Sequence, residues 1–100
     1  MHKVIILLTR REGTTHDEFL HWWLNDHRAL AEQLPGVRKL VFNDVADGSG
    51  PDGIAELWFD SEQASIDAYA TEAGKRVAAH TLSYVQSRIR LVVTEHQIVG

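Results

Sequence analysis

The chain predicts an α+β sandwich of order βαββαβ, and three observations carry that prediction. Short runs dense in branched and aromatic residues recur at Val4–Leu8, Leu40–Phe42 and Leu57–Phe59. Two longer stretches, starting near His16 and near Glu62, repeat apolar residues at helical spacing. Turn residues separate these segments: Gly13, the pair Pro35-Gly36, and ADGSGPDG at 46–53.

Length and composition set the outer bounds. One hundred residues, 44% hydrophobic and 24% charged, suit a single globular domain over 1–100 with a small core, for which help from a partner chain is plausible. Cysteine is absent, which excludes thiolate catalysis and Cys-ligated metal sites. The net charge is -4, and the basic residues fall in scattered pairs such as Arg10-Arg11 and Lys75-Arg76. No concentrated positive surface for nucleic acid is expected. The apolar run at the N-terminus is only Val4–Leu8, a strand and not an export signal, and no segment approaches the ~20 apolar residues of a membrane span. A cytoplasmic protein without a membrane partner is the expectation.

The first strand is expected over His2–Thr9. Thr15 then precedes Glu18 by three residues, the spacing of a capping box, so a helix should start at His16 and run to Leu34. Pro35-Gly36 stops it. A second strand, Arg38–Val45, and a third, Ile54–Phe59, flank the glycine-rich loop. Ser61 can cap a second helix beginning near Glu62, which Gly74 should break or bend before a shorter helical piece ends near His80. The last strand is expected over Ile89–Val99.

This order is that of a ferredoxin-like fold: an antiparallel sheet with both helices on one face. A one-sided sheet should alternate apolar and polar residues. Here the strands are apolar in consecutive positions, so both faces should be covered, the second by the sheet of another copy in a twofold homodimer.

In the first helix, Leu20, Trp23, His27, Leu30 or Ala31, and Leu34 share one stripe, broadened by Phe19 and His16, while Trp22, Asn25 and Asp26 fall elsewhere. His27 thus sits in a core-facing stripe, and His21 in solvent. A buried imidazole needs a partner, since leaving it unpaired costs on the order of 1–3 kcal/mol. It could hydrogen-bond the sheet, through Asn43 or Glu56, or serve as acid or base near neutral pH. Metal binding is not expected. In HDEFLH the histidines are five apart rather than four, His21 and His27 are six apart, and no carboxylates cluster in the sequence. Neither a phosphate-binding glycine loop nor a GxSxG elbow is present.

MHKVIILLTRREGTTHDEF, then WLNDH with its W-x-x-x-H spacing, then LPGVRKLVFN, GIAELWFDSEQA and the closing LVVTEH together resemble an EthD-type domain of the dimeric α+β barrel superfamily, over essentially the whole chain. The resemblance implies sheet-to-sheet dimers with a small-molecule pocket between sheet and helices in each protomer. It also implies chemistry without metal or organic cofactor, of the isomerase or dehydratase kind, on lactones, quinones or polyketide-like compounds from aromatic catabolism or polyketide processing. On this basis His27 is the expected catalytic residue, with Trp23, Leu40, Phe42, Trp58 and Tyr84 expected to bind substrate. Many relatives carry tyrosine where this chain has Leu40, so His27 would act alone or with Asn43, His80 or Tyr84. A non-catalytic protein holding a hydrophobic metabolite is the alternative expectation. The sequence assigns no role to His96.

Overall fold

The computed structural model describes residues 1–100. Strand β1 (His2–Arg10) leads into helix α1 (His16–His21), which continues through a π-helical turn (Trp22–His27) into α2 (Arg28–Ala31). Strands β2 (Val37–Asp44) and β3 (Gly53–Phe59) form a hairpin, followed by α3 (Glu62–Ala70), α4 (Glu72–Tyr84) and β4 (Val85–Val93). The sheet order is β2-β3-β1-β4 with every neighbouring pair antiparallel, the ferredoxin-like arrangement.

The local signals act as expected at most ends. The Thr15 hydroxyl accepts from the Glu18 N–H at 3.1 Å, and the Glu18 carboxylate accepts from the Thr15 N–H at 3.0 Å, completing the capping box. Ser61 caps α3 through the Ala64 N–H. Gly36 takes a left-handed φ of 77° directly after Pro35, which turns the chain into β2.

Three boundaries differ from expectation. The break between α3 and α4 is made by Thr71, not Gly74: Thr71 ends α3 through the Ala68 carbonyl and starts α4 by accepting from the Gly74 N–H. Gly74 is needed for another reason, since a Cβ there would run into the Ala68 carbonyl oxygen and the Tyr69 Cα. Helix α4 runs past His80 to Tyr84, and β4 follows at Val85 with no loop. β4 stops at Val93, paired with Lys3 near the start of β1, so the expected extension to Val99 finds no neighbouring strand to pair with.

One face of the sheet packs on the helices. Val4, Ile6 and Leu8 of β1 and Ala55, Leu57 and Phe59 of β3 are buried there against Phe19, Trp22, Trp23 and Leu34. Leu40 and Phe42 of β2 point the same way, because Leu40 pairs with Leu57 and Phe42 with Ala55. The other face carries Ile5 and Leu7 of β1, Ile54 of β3 and Val41 of β2, and on β4 it exposes Ile89 by 50% and Leu91 by 44%. No helix is long and apolar enough to cross a membrane.

Candidate functional site

The helix that carries the histidines is not a continuous α-helix. Residues five apart in an α-helix are turned about 140° from each other, whereas a π turn brings them into line. Trp22 and His27, five apart, stack at 5.0 Å between ring centroids inside this turn. Trp22 is therefore buried, contrary to the α-helical wheel that placed it outside the core stripe. Trp23 remains in the core, fully buried, with its ring parallel to Phe42 at 4.3 Å.

His27 is 6% exposed, and its hydrogen bonds go to α4, not to the sheet. Its Nδ1 lies 3.0 Å from Nδ1 of His80, and its Nε2 lies 3.3 Å from the Thr81 hydroxyl. Chemical necessity orders the protons. The Trp22 indole N–H can only donate, and it points at Nε2 of His80 at 3.4 Å, so that nitrogen accepts. The His80 proton then sits on Nδ1 and is donated to Nδ1 of His27. The proton of His27 is left on Nε2, donated to Thr81, whose own hydroxyl donates to the Val77 carbonyl at 3.1 Å. Every polar atom of this Trp22–His80–His27–Thr81 relay is satisfied with both imidazoles neutral. Burial first, and the neighbouring His80 second, push the His27 imidazole down to about 4.

His16 is tuned the opposite way. Its Nδ1 lies 2.8 Å from Asp52 and its Nε2 3.2 Å from Asp44. Carboxylates only accept, so both ring nitrogens donate, which requires the imidazolium. The hydrogen bond to Asp52 is the largest influence raising its pKa, against the cost of burial. Arg10 grips the same Asp52 and also Asp47 at 3.1 Å. The hairpin thus gathers three aspartates that the sequence spreads over Asp44 to Asp52, a carboxylate cluster where none was expected. His16, Asp47 and Asp52 could in geometry surround a cation. Their donor atoms are already engaged by a guanidinium and by imidazole N–H groups, so the cluster fastens the hairpin to β1 and α1.

A small cavity of about 30 Å³, room for roughly one water, lies between sheet and helices beside His27 and Thr81. Twelve of its 15 lining residues are hydrophobic, and Trp23, Leu40 and Phe42 are among them. An open groove of about 470 Å³ between α2 and β2 shares Ala31, Leu40 and Phe42 with it. Those three side chains are the partition between surface and interior.

Of the expected site residues, the structure brings together His27, Trp23, Leu40 and Phe42. Trp58 is on the opposite face of the sheet, because β3 alternates and Leu57 and Phe59 take the inner positions. There its ring lies under Lys3 and Lys39, and its N–H donates to Glu95. Tyr84 is outside the cavity, stacked on the outer side of Trp22 at 4.2 Å. Asn43 faces away, donating to Glu56 and to the Ile54 carbonyl, and His96 lies exposed in the tail beyond β4. Neither Asn43 nor Glu56 is the partner of His27.

Sequence reasoning missed Thr81, Tyr69 and Arg88, all on the cavity wall. It missed the pairing of His27 with His80 as well, although His80 was named among possible partners. Thr81 and Arg88 sit beyond the expected helix end and before the expected last strand, where no face could be assigned to them.

Comparison with known proteins gives one family. The EthD domain model matches residues 11–87. An uncharacterised 11.0 kDa protein from the thcB-thcC intergenic region of Rhodococcus erythropolis is 26% identical over 77 residues, covering 73% of this chain and 75% of that protein. Among solved structures, an ethyl tert-butyl ether D family protein of Bacillus halodurans superposes with TM-score 0.81 at 19% identity, over 96% of this chain and 100% of that one. A dimeric ferredoxin-like protein of unknown function from Thermobifida fusca superposes with TM-score 0.76 at 12% identity, over 94% and 90% of the two chains. With that model spanning most of its length and the fold in agreement, the chain belongs to the EthD family.

Proposed function

We propose that this chain is a small-molecule enzyme in which His27 transfers a proton on a hydrophobic carbonyl compound, such as a lactone, quinone or polyketide-like ring, without metal or organic cofactor. The observation that carries the reading is the position of His27: a neutral imidazole on the wall of an apolar cavity that has room for about one water as it stands and would take a ring by merging, past Ala31, Leu40 and Phe42, with the surface groove. A base held at about 4 is unprotonated throughout the physiological range but weak. It suits carbon acids already activated by adjacent carbonyls. His27 would remove a proton next to a carbonyl, then either return it to another carbon, an isomerisation, or hand it to a departing hydroxyl so that water leaves, a dehydration. The only lone pair of His27 is on Nδ1, which accepts from His80, so taking the proton requires the half-buried His80 ring to release that hydrogen bond.

The apolar residues of the outer sheet face, Ile5, Leu7, Val41 and Ile54 with the half-exposed Ile89 and Leu91, support a homodimer formed through that face, as the dimeric description of the T. fusca protein also suggests. A cytoplasmic setting fits the absence of cysteine and of any membrane-spanning helix.

The test is turnover of a panel of enolisable lactones, quinones and cyclic β-diketones. Both His27→Ala and His27→Gln should lower kcat by about 10² to 10⁴. Unchanged turnover by both variants at every pH would remove His27 from the chemistry. The second reading, a holder of hydrophobic metabolites, is favoured by the dominance of hydrophobic residues on the cavity wall. It predicts saturable binding across the panel with no turnover of any member.

A further inference from the structure

The cavity is apolar in area but one-sided in its polar groups. The Trp23 indole N–H is fully buried and has no acceptor in the protein. The benzene edge of that ring lies against Gly53, so the N–H is on the edge turned away from that glycine. An unpaired buried N–H costs on the order of 1–3 kcal/mol, and such an orphan in a native structure calls for an explanation. Tyr69, brought in from α3, lines the same cavity, and its hydroxyl makes no hydrogen bond within the protein. Arg88 lines it from β4, held on the helix-facing side by its pairing with Leu8. It takes part in none of the ion pairs of the molecule, whereas Arg90, two residues on, is tied to Ser65.

We infer that the ligand of this cavity carries a resonance-stabilised anionic oxygen, an enolate, phenolate or carboxylate, and that Trp23, Tyr69 and Arg88 are the donors that receive it. The inference rests on the cavity being the ligand site, as proposed above, and adds the chemical class of the occupant. No carboxylate lines the cavity, so nothing on its wall competes for the guanidinium. Thr81 and His27 satisfy each other, which leaves these three groups as the free donors. Burial raises the Tyr69 phenol, while the charges of Arg88 and Arg90 pull it back. A donor set of this kind fits an anion that forms as His27 removes a proton: electrons released from the broken C–H bond settle on the carbonyl oxygen, and the proton stays on the imidazole. It also places a phenol in the cavity from α3, in a chain that has Leu40 on β2 where many relatives have tyrosine.

The test compares 4-nitrophenolate with its neutral ether, 4-nitroanisole, at a pH where the phenol is ionised, using the intact protein. Binding is read from the affinity and from the amide and indole N–H spectrum. The phenolate should bind about tenfold or more tighter than the ether and shift the Trp23 indole resonance. Arg88→Met should abolish that preference, and an amide spectrum that keeps its dispersion shows that the variant is folded. Tyr69→Phe, which removes one oxygen, should cut the preference by a smaller factor and carries the comparison should R88M not fold. Equal affinity for the two probes, or an unchanged preference in these variants, overturns the inference and leaves the cavity as a neutral-ligand site. If neither probe perturbs any cavity resonance, the ligand-site reading falls with it.

Discussion

Lowering the pH should cost this protein stability through one identifiable side chain. His27 is held at about 4 in the fold, against 6.5 for a free imidazole. Between those values the unfolded chain binds a proton that the folded protein refuses, so stability rises with pH across that window and is lost as pH falls through it. At 1.36 kcal/mol per pKa unit, the depression amounts to about 3 kcal/mol between pH 7 and pH 4, with a slope approaching 1.4 kcal/mol per pH unit near the middle. That is a large share of the stability of a domain this small. His16 tilts the curve the other way: its raised pKa means that its contribution is present below the unfolded value and fades as pH rises through the folded one. The clean quantity is therefore the difference between wild type and His27→Gln, from urea melts at a series of pH values followed by tryptophan fluorescence. The gap should shrink by about 3 kcal/mol on going from pH 7 to pH 4. A gap that stays constant across the window, or an imidazole resonance of His27 titrating above pH 6, would refute the burial argument.

Other perturbations follow from the same geometry. Asp52→Asn removes the carboxylate shared by Arg10 and His16, and should destabilise the fold by about 3 kcal/mol while lowering the His16 pKa, both readable from melts and an NMR titration. Gly53→Ala places a Cβ 2.5 Å from the Trp23 ring, so it should cost about 1–3 kcal/mol and shift the Trp23 indole resonance. Leu91→Asp puts a charge into the half-exposed apolar face of β4 and should convert a dimer to a monomer in light scattering, without altering the helix-facing core.

Much of this architecture could be read in advance where a local rule dominates. The Thr15–Glu18 box, the Ser61 cap and the Pro35-Gly36 stop each act within a few residues, so the order of elements and the start of the first helix followed directly. His27 fell on the buried stripe because it keeps its spacing to Trp23. Trp22 did not, because the wheel assumed an α period that the π turn violates. The choice between the two faces of β3 depends on pairing with β1 and β2, which is why Trp58 and Leu57 were not told apart. Arg88 and Tyr69 meet only after α3, α4 and β4 have packed on the sheet, and their spacing of 19 positions carries no trace of that meeting.

The widened turn between Trp22 and His27 has a mechanical consequence. It adds a residue in mid-helix, so the segments before and after it keep separate rotational settings against the sheet. The half that anchors the β2–β3 hairpin through His16 and the half that presents His27 to α4 are thereby oriented separately. Removing one residue from that turn would restore a regular helix and swing either the hairpin clasp or the buried imidazole off its mark, which makes the underwound coil the joint between the scaffold and the chemistry.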